Sequence, residues 1–248
     1  MISTKQAERF FRNLNLQLKH VKTSFPQEQV EKVILFAKKY SEKLDLAHDF
    51  KHIILVHNTA LLSIRKRNFK NFDDEEKQQL IDLIVLSSLL HDCCAEKYPA
   101  TKKELHHMKC AELAYKMLIK NHFDLNTAKA VRMLIRCHST TGYEDYYHQI
   151  YKYRKYSKKI VKFAAKILYD ADKLQTTGLV GILRAVITKY ILEDATYKKL
   201  KVFNEKQQKK LKLKESLDLI SFYGHIKSYN VKDIPKLLDD VKTYLEQL

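Results

Sequence analysis

The sequence predicts an all-α fold, and three observations carry the prediction. Gly and Pro are scarce, with 4 and 3 residues in 248, and they are the strongest breakers of regular structure. Long stretches are built from Leu, Ile, Lys, Glu and Ala, which favour helix over sheet. Apolar residues recur with a helical period in segment after segment, where strands would alternate. At 45% hydrophobic residues the chain can fill one large core. There is no internal repeat and no convincing linker, so a single domain over residues 1–248 is expected.

Residues 3–22 read as a helix that ends before Pro26. Residues 27–44 follow that proline directly, which suits a helix start. Val30, Val33, Ile34, Phe36 and Ala37 supply their apolar stripe. The segment AHDFKH then breaks the pattern and opens a helix that carries His52, with Val56, Ala60 and Ile64 facing inward. In NFDDEEKQQLIDLIVLSSLLHD the acids stand at the start, where the helix dipole prefers them. Its later half is nearly all apolar, which marks the central buried helix. Residues 93–104 read as a polar loop, and 105–121 and 125–138 as two further helices.

The segment 143–159, YEDYYHQIYKYRKYSKK, interleaves six tyrosines with basic residues. It reads either as a nucleotide-recognition lid, since aromatic faces stack on bases, or as an amphipathic helix whose tyrosines pack on the core. The second reading is preferred. A helix leading to Asp172 follows. Gly178 and Gly181 allow close backbone approach at the next helix start. Residues 190–248 read as two or three more helices, with a lysine-rich stretch from Lys198 to Lys214.

No apolar run is long enough to span a bilayer, which argues against membrane insertion. The start MISTKQAERFFRNLN lacks the apolar core of a secretory signal, so a cytoplasmic protein is expected. Cys93, Cys94, Cys110 and Cys137 form no CxxC pair, and neighbours such as Cys93 and Cys94 do not readily bridge. Small buried thiols in a reducing compartment are expected rather than a disulfide framework. The net charge of +17, from 46 basic and 29 acidic side chains, favours an anionic partner: a nucleotide, a nucleic acid or a membrane surface. A lysine-rich solvated face without a partner accounts for it equally well.

The dyad His91-Asp92 closes the apolar run LIVLSSLLHDCCAEK. Charged groups at the end of a buried run must find a partner or shift their ionisation, and a divalent ion serves both residues at once. Imidazole with carboxylate suits Mn, Fe, Zn or Ni, with Mg favoured as carboxylate and water take over. His52 lies upstream and Asp172 downstream, each at or near a helix edge. Taken singly, His52 reads as an ordinary polar residue near a helix N-terminus, and Asp172 as a cap.

The order His, His-Asp, Asp, with helices between, resembles the HD-domain superfamily of metal-dependent phosphohydrolases. The matches AHDFKHIILV, LLHDCC and DADKL followed by G..G..R are similar to its bacterial nucleotide-pyrophosphohydrolase-like branch. The resemblance covers roughly residues 27–190. It implies an HD-type helical bundle with a core of about 27–190 and helical additions at 1–26 and 191–248. It also implies hydrolysis of a phosphoester or phosphoanhydride bond in a nucleotide or related small phosphate compound. His52, His91, Asp92 and Asp172 would be the metal ligands, and Asp170 an acid that orients a ligand or a bound water. Two histidines and two aspartates leave about two positions free on an octahedral ion. Mn is the first expectation, ahead of Mg, Co, Ni, Fe or Zn.

Some HD proteins add two histidines between the dyad and the final aspartate and hold two metals. Among His106, His107 and His138, the second and third occupy roughly such places. In the branch this chain resembles most, these positions serve substrate contact, so one metal is expected, with His107 and His138 as substrate contacts. Lys97 follows the dyad and could reach a phosphate, and Glu96 could position the attacking water. Two solvated loop charges explain that pair equally well. Lys173 and the Arg184 of the G..G..R element are further phosphate contacts. His57 reads as a satisfied core histidine, and Asp49 of His48-Asp49 as a cap or a partner of a ligand. The chain departs from the branch at Gln175, where a second acid is expected. The loop after the dyad is longer, and the C-terminal motif has no counterpart. The alternative to an enzyme is a nucleic-acid-binding or regulatory HD scaffold with a structural metal.

Overall fold

The computed structural model describes residues 16–41, 50–66, 71–93 and 106–174. Among these residues it holds seven α-helices and no strand, as expected of an all-α fold. They are α1 (Gln27–Ser41), α2 (Phe50–Lys66), α3 (Asp74–Leu90), α4 (His106–Lys120), α5 (Leu125–Arg136), α6 (Thr140–Tyr146) and α7 (Lys158–Leu174). Leu18–Leu44 and His48–Asp172 belong to one compact unit, while Met1–Gln17, Asp45–Ala47 and Lys173–Leu248 fall to another. The expectations for residues 3–15, for Gly178, Gly181 and for 190–248 lie outside the described residues.

Helix α3 is the axis of the unit and packs on α1, α2, α4 and α5. Every side chain from Asp82 to Leu90 is buried, because the run is apolar all round rather than on one stripe. Its start is fixed by a reciprocal cap. The Asp73 carboxylate accepts from Glu76 N at 2.7 Å, and the Glu76 carboxylate accepts from Asp73 N at 3.3 Å. Helices α4 and α5 form a hairpin. Phe123 N donates to Leu118 O and His122 N to Ile119 O, both at 3.1 Å, with His122 in the left-handed conformation at φ 62°. This is the closing pattern that ends a helix when its last carbonyls need donors. Asp124 then caps α5 by accepting from Asn126 N and Thr127 N at 3.0 and 2.9 Å.

Two segments depart from the sequence expectation. Residues 16–25 are irregular rather than helical, because long-range side chains claim their backbone groups. Lys19 N donates to Asn58 Oδ1 (3.0 Å), and Lys19 O accepts from His57 Nε2 (3.0 Å). Lys22 O accepts from Gln78 Nε2 (3.1 Å), and Ser24 N donates to Asp82 Oδ1 (2.9 Å). The Ser24 hydroxyl also donates to Asp82.

The segment 143–159 is likewise not one amphipathic helix. It breaks into α6, a short 3-10 turn at Tyr147–Gln149, an irregular stretch, and the start of α7. Tyr153 and Tyr156 are buried in the core, and Tyr156 shares a hydrogen bond of 2.7 Å with Thr127 Oγ1. Tyr151 is exposed.

The cysteines correct an expectation. Cys93 and Cys137 are buried free thiols, but Cys110 is disulfide-bonded. Burial pushes the Cys137 thiol up to about 12, so it behaves as a small apolar side chain.

Candidate metal centre

Each residue of the centre is delivered by a helix end. His52 stands in the first turn of α2. His91 is the residue that closes α3, and Asp92 follows it. His106 opens α4. His138 lies between the end of α5 at Cys137 and Ser139, which caps α6. Asp172 occupies the last turn of α7. Helix ends suit this role because the chain can turn a polar side chain inward there without breaking a buried stripe.

The donors form two adjoining groups. The ligating atoms of His52, His91 and Asp172 lie within 4.8 Å of one another, and so do those of Asp92, His106 and His138. In the first group His52 Nε2 is 3.2 Å from His91 Nε2 and 3.4 Å from Asp172 Oδ1. In the second His106 Nε2 is 3.1 Å from His138 Nε2. Asp92 faces both. Its Oδ2 lies 3.3 Å from His52 and 3.5 Å from His91, and its Oδ1 lies 3.4 Å from His138 and 3.7 Å from His106.

These separations fit metal ligation. Two donors each about 2.1 Å from one ion stand about 3.0 Å apart at a right angle and about 3.4 Å apart at the tetrahedral angle. The tautomers fit too. His91 Nδ1 donates to Ser88 O at 2.8 Å, and His138 Nδ1 donates to Ile135 O at 2.6 Å. Each ring therefore turns its Nε2 lone pair into the cluster, as ligating histidines do when the other nitrogen is held by a carbonyl.

Burial pushes His91 down to about 4, helped by His52 and His138 and opposed by Asp92 and Asp172, so the ring is neutral near pH 7. Burial opposes a charge on Asp92, but His91, His138 and His52 together hold its carboxyl well below the usual range. A neutral imidazole at His91 beside a charged carboxylate at Asp92 is the pair of protonation states that metal binding needs.

The remaining residues fall as follows. His106, half-buried at 33% side-chain exposure, joins the cluster, whereas its neighbour His107 does not. The His107 ring is buried beside Tyr146, with centroids 6.1 Å apart, and its Nδ1 has no hydrogen-bond partner. A Cβ at Gly142 would come within 2.9 Å of its Cδ2. The buried stripe of α4 runs His107, Cys110, Ala111, Ala114, Leu118, which leaves His106 at the margin that faces the centre.

Asp170 is buried and ion-paired to Lys166 at 2.9 Å. Lys173 is half-buried in the last turn of α7, directly after Asp172. His57 is buried and bonded to Ser88 Oγ (2.8 Å) and Lys19 O (3.0 Å), so it is a satisfied core residue. Glu96, Lys97, Arg184, Gln175 and the dipeptide His48-Asp49 lie outside the described residues.

Comparison with known proteins finds no matching family model, no matching curated protein and no matching solved structure. The buried His and Asp groups are positioned to hold a metal ion, and that is a property of the chain's own geometry.

Proposed function

We propose that this protein is a metal-dependent phosphohydrolase that cleaves a phosphoester or phosphoanhydride bond of a nucleotide or related small phosphate compound. One observation carries the reading: Asp92 offers one carboxylate oxygen to each of two histidine-containing donor groups. Paired sites of this kind suit phosphate chemistry, where both the attacking and the leaving oxygen need stabilising. The reading therefore has two ions rather than the single ion expected from the sequence. His52, His91, Asp172 and Asp92 would hold one, and His106, His138 and Asp92 the other. The resemblance to HD-domain phosphohydrolases supports the same reaction class.

When bound, divalent ions would polarise the phosphoryl oxygen and make water acidic near neutral pH. The carboxylates suit Mn, the imidazoles suit Fe, Co, Ni or Zn, and so many imidazoles leave Mg less suited. The chain's own residues do the positioning. The carbonyls of Ser88 and Ile135 fix two imidazoles. We assign Lys97, Lys173 and Arg184 to the substrate's phosphate charge, and Glu96 to orienting the attacking water. We assign Asp170 to orienting a ligand or a bound water.

The test is phosphate and pyrophosphate release from a nucleotide panel, using stripped protein reloaded with Mn, Co, Ni or Mg. Asp92→Ala runs beside it, with metal content counted per chain. Release that needs metal, two ions per chain and loss of both in Asp92→Ala are expected. Stoichiometric metal binding without release from any substrate would overturn the reading.

A further inference from the structure

Between Tyr146 and Tyr169 the chain has seven lysines and arginines and no Asp or Glu. Such one-signed runs repel themselves and persist where something anionic is met. Within this run Ile150 is extended and residues 151–153 form neither helix nor strand, and the side chains of Tyr151 and Tyr153 meet. The two rings stack with centroids 4.7 Å apart and planes inclined by 28°.

Tyr153 is buried in the core, whereas Tyr151 is 54% exposed. One face of Tyr151 is therefore held flat on a fixed support while the ring stays accessible. It is the one exposed large hydrophobic among the described residues of this run.

The cations divide into two sets. Lys155, Lys159 and Lys166 are paired with Asp124, Glu76 and Asp170, and Lys162 lies over the Tyr147 ring at 5.0 Å. Lys152, Arg154 and Lys158 are exposed and have no carboxylate partner among the described residues. These are the three nearest in sequence to the Tyr151 platform that carry unspent charge.

We propose that Tyr151 with Lys152, Arg154 and Lys158 is a docking surface for single-stranded nucleic acid. A base stacks on the open side of Tyr151, and the cations meet adjacent phosphates. An immobilised aromatic face among free cations is what sequence-tolerant strand binding uses. A membrane surface would want Leu, Phe or Trp exposed among the cations, and this run exposes none of them. The surface shares no residue with the metal centre, and its function does not depend on hydrolysis.

The experiment is fluorescence anisotropy of labelled oligouridylate and oligothymidylate with the full chain over a salt series, with anionic phosphatidylserine vesicles as the competing probe. Tyr151→Ala is expected to weaken oligonucleotide binding roughly tenfold, the value of one stacked base, while Tyr151→Phe keeps it. Lys152→Gln with Arg154→Gln is expected to lower the slope of log affinity against log salt by about 1.4, or about 0.7 per phosphate contact. Circular dichroism of each variant checks that the helices are intact. Unchanged binding in Tyr151→Ala, equal loss in Tyr151→Phe, or preference for the vesicles would each overturn the proposal. Because binding is read without turnover, this test and the phosphohydrolase test fail separately.

Discussion

Helices α2 and α3 bury two sets of polar side chains, and the two sets could hardly differ more in how they are satisfied. At one set, His57, Asn58 and Asp82 each bond the irregular backbone of residues 19–24. At the other, His52, His91 and Asp92 turn toward one another, and the lone pairs of two imidazoles meet at 3.2 Å. Burial is the same, and residue types overlap. A buried histidine is therefore not a sign of a metal site in itself. What separates the sets is where the lone pairs go: onto backbone donors and acceptors in one, onto a shared point in the other. The first set contributes to the fold, and the second is arranged for a cation.

The contrast can be broken in order of expected effect. Asp92→Ala removes the one side chain common to both donor groups. Metal-dependent release should fall by about a thousandfold or more, since metal stabilisation of several kcal/mol is lost. Atomic absorption on the purified variant should show loss of bound metal. A variant that keeps its metal content would break the comparison outright.

His57 gives the next effect, and the sign follows from its burial. Desolvation pushes the ring from 6.5 down to about 4, against a raising contribution from Lys19 O and with His20 lowering it further. The unfolded chain takes up a proton below about 6.5, and the folded one only near 4. Stability is thus full above that window and is lost as pH falls through it, by on the order of 3 kcal/mol. Urea midpoints for wild type and His57→Gln between pH 7.5 and 4.5 check this. The variant should show a flatter pH dependence, with metal content unchanged at pH 7.5.

His106→Ala sharpens the division within the metal centre. The residue is half-exposed at a helix start, so the thermal midpoint should move little. One of two metal equivalents should be lost, and turnover should drop by roughly tenfold to a hundredfold. His107→Gln is its counterpart, because it alters a buried ring outside both donor groups and should leave metal stoichiometry intact. The smallest effect belongs to Asp82→Asn. It keeps the shape but weakens the bonds to Ser24 N and Gln78, for about 1 kcal/mol of stability in denaturant unfolding.

How much of this was legible in the sequence depends on how far each cause lies along the chain. The acids of Asp73–Glu76 and the unbroken apolar run after them announce α3, and the structure adds only the reciprocal cap. His52, His91, Asp92 and Asp172 were legible as a set from their order between helices. Spacing alone does not choose between His106 and His107 as the donor that joins Asp92 and His138. The apolar repeat through Cys110, Ala111, Ala114 and Leu118 holds the information, since it places His107 on the stripe and His106 off it. Residues 16–22 read as helical because Leu14, Leu18 and Val21 recur at i, i+4 and i+7 and imitate a helical stripe. The groups that prevent a helix sit far away at His57, Asn58, Gln78 and Asp82. The tyrosines of 143–159 misled likewise: Ile150, Tyr153 and Tyr156 enter the core from an irregular stretch. Nothing local in either segment signals those distant partners.

The docking of residues 19–24 also imposes an order in time. Ser24 is synthesised 58 residues before its partner Asp82. At about 5–20 residues per second, it waits roughly 3 to 12 seconds on the ribosome before that carboxylate exists. The first segment of the unit to be made is thus placed in two stages: Lys19 can bond once α2 exists, and the backbone of Lys22 and Ser24 stays bonded to water until α3 has been translated.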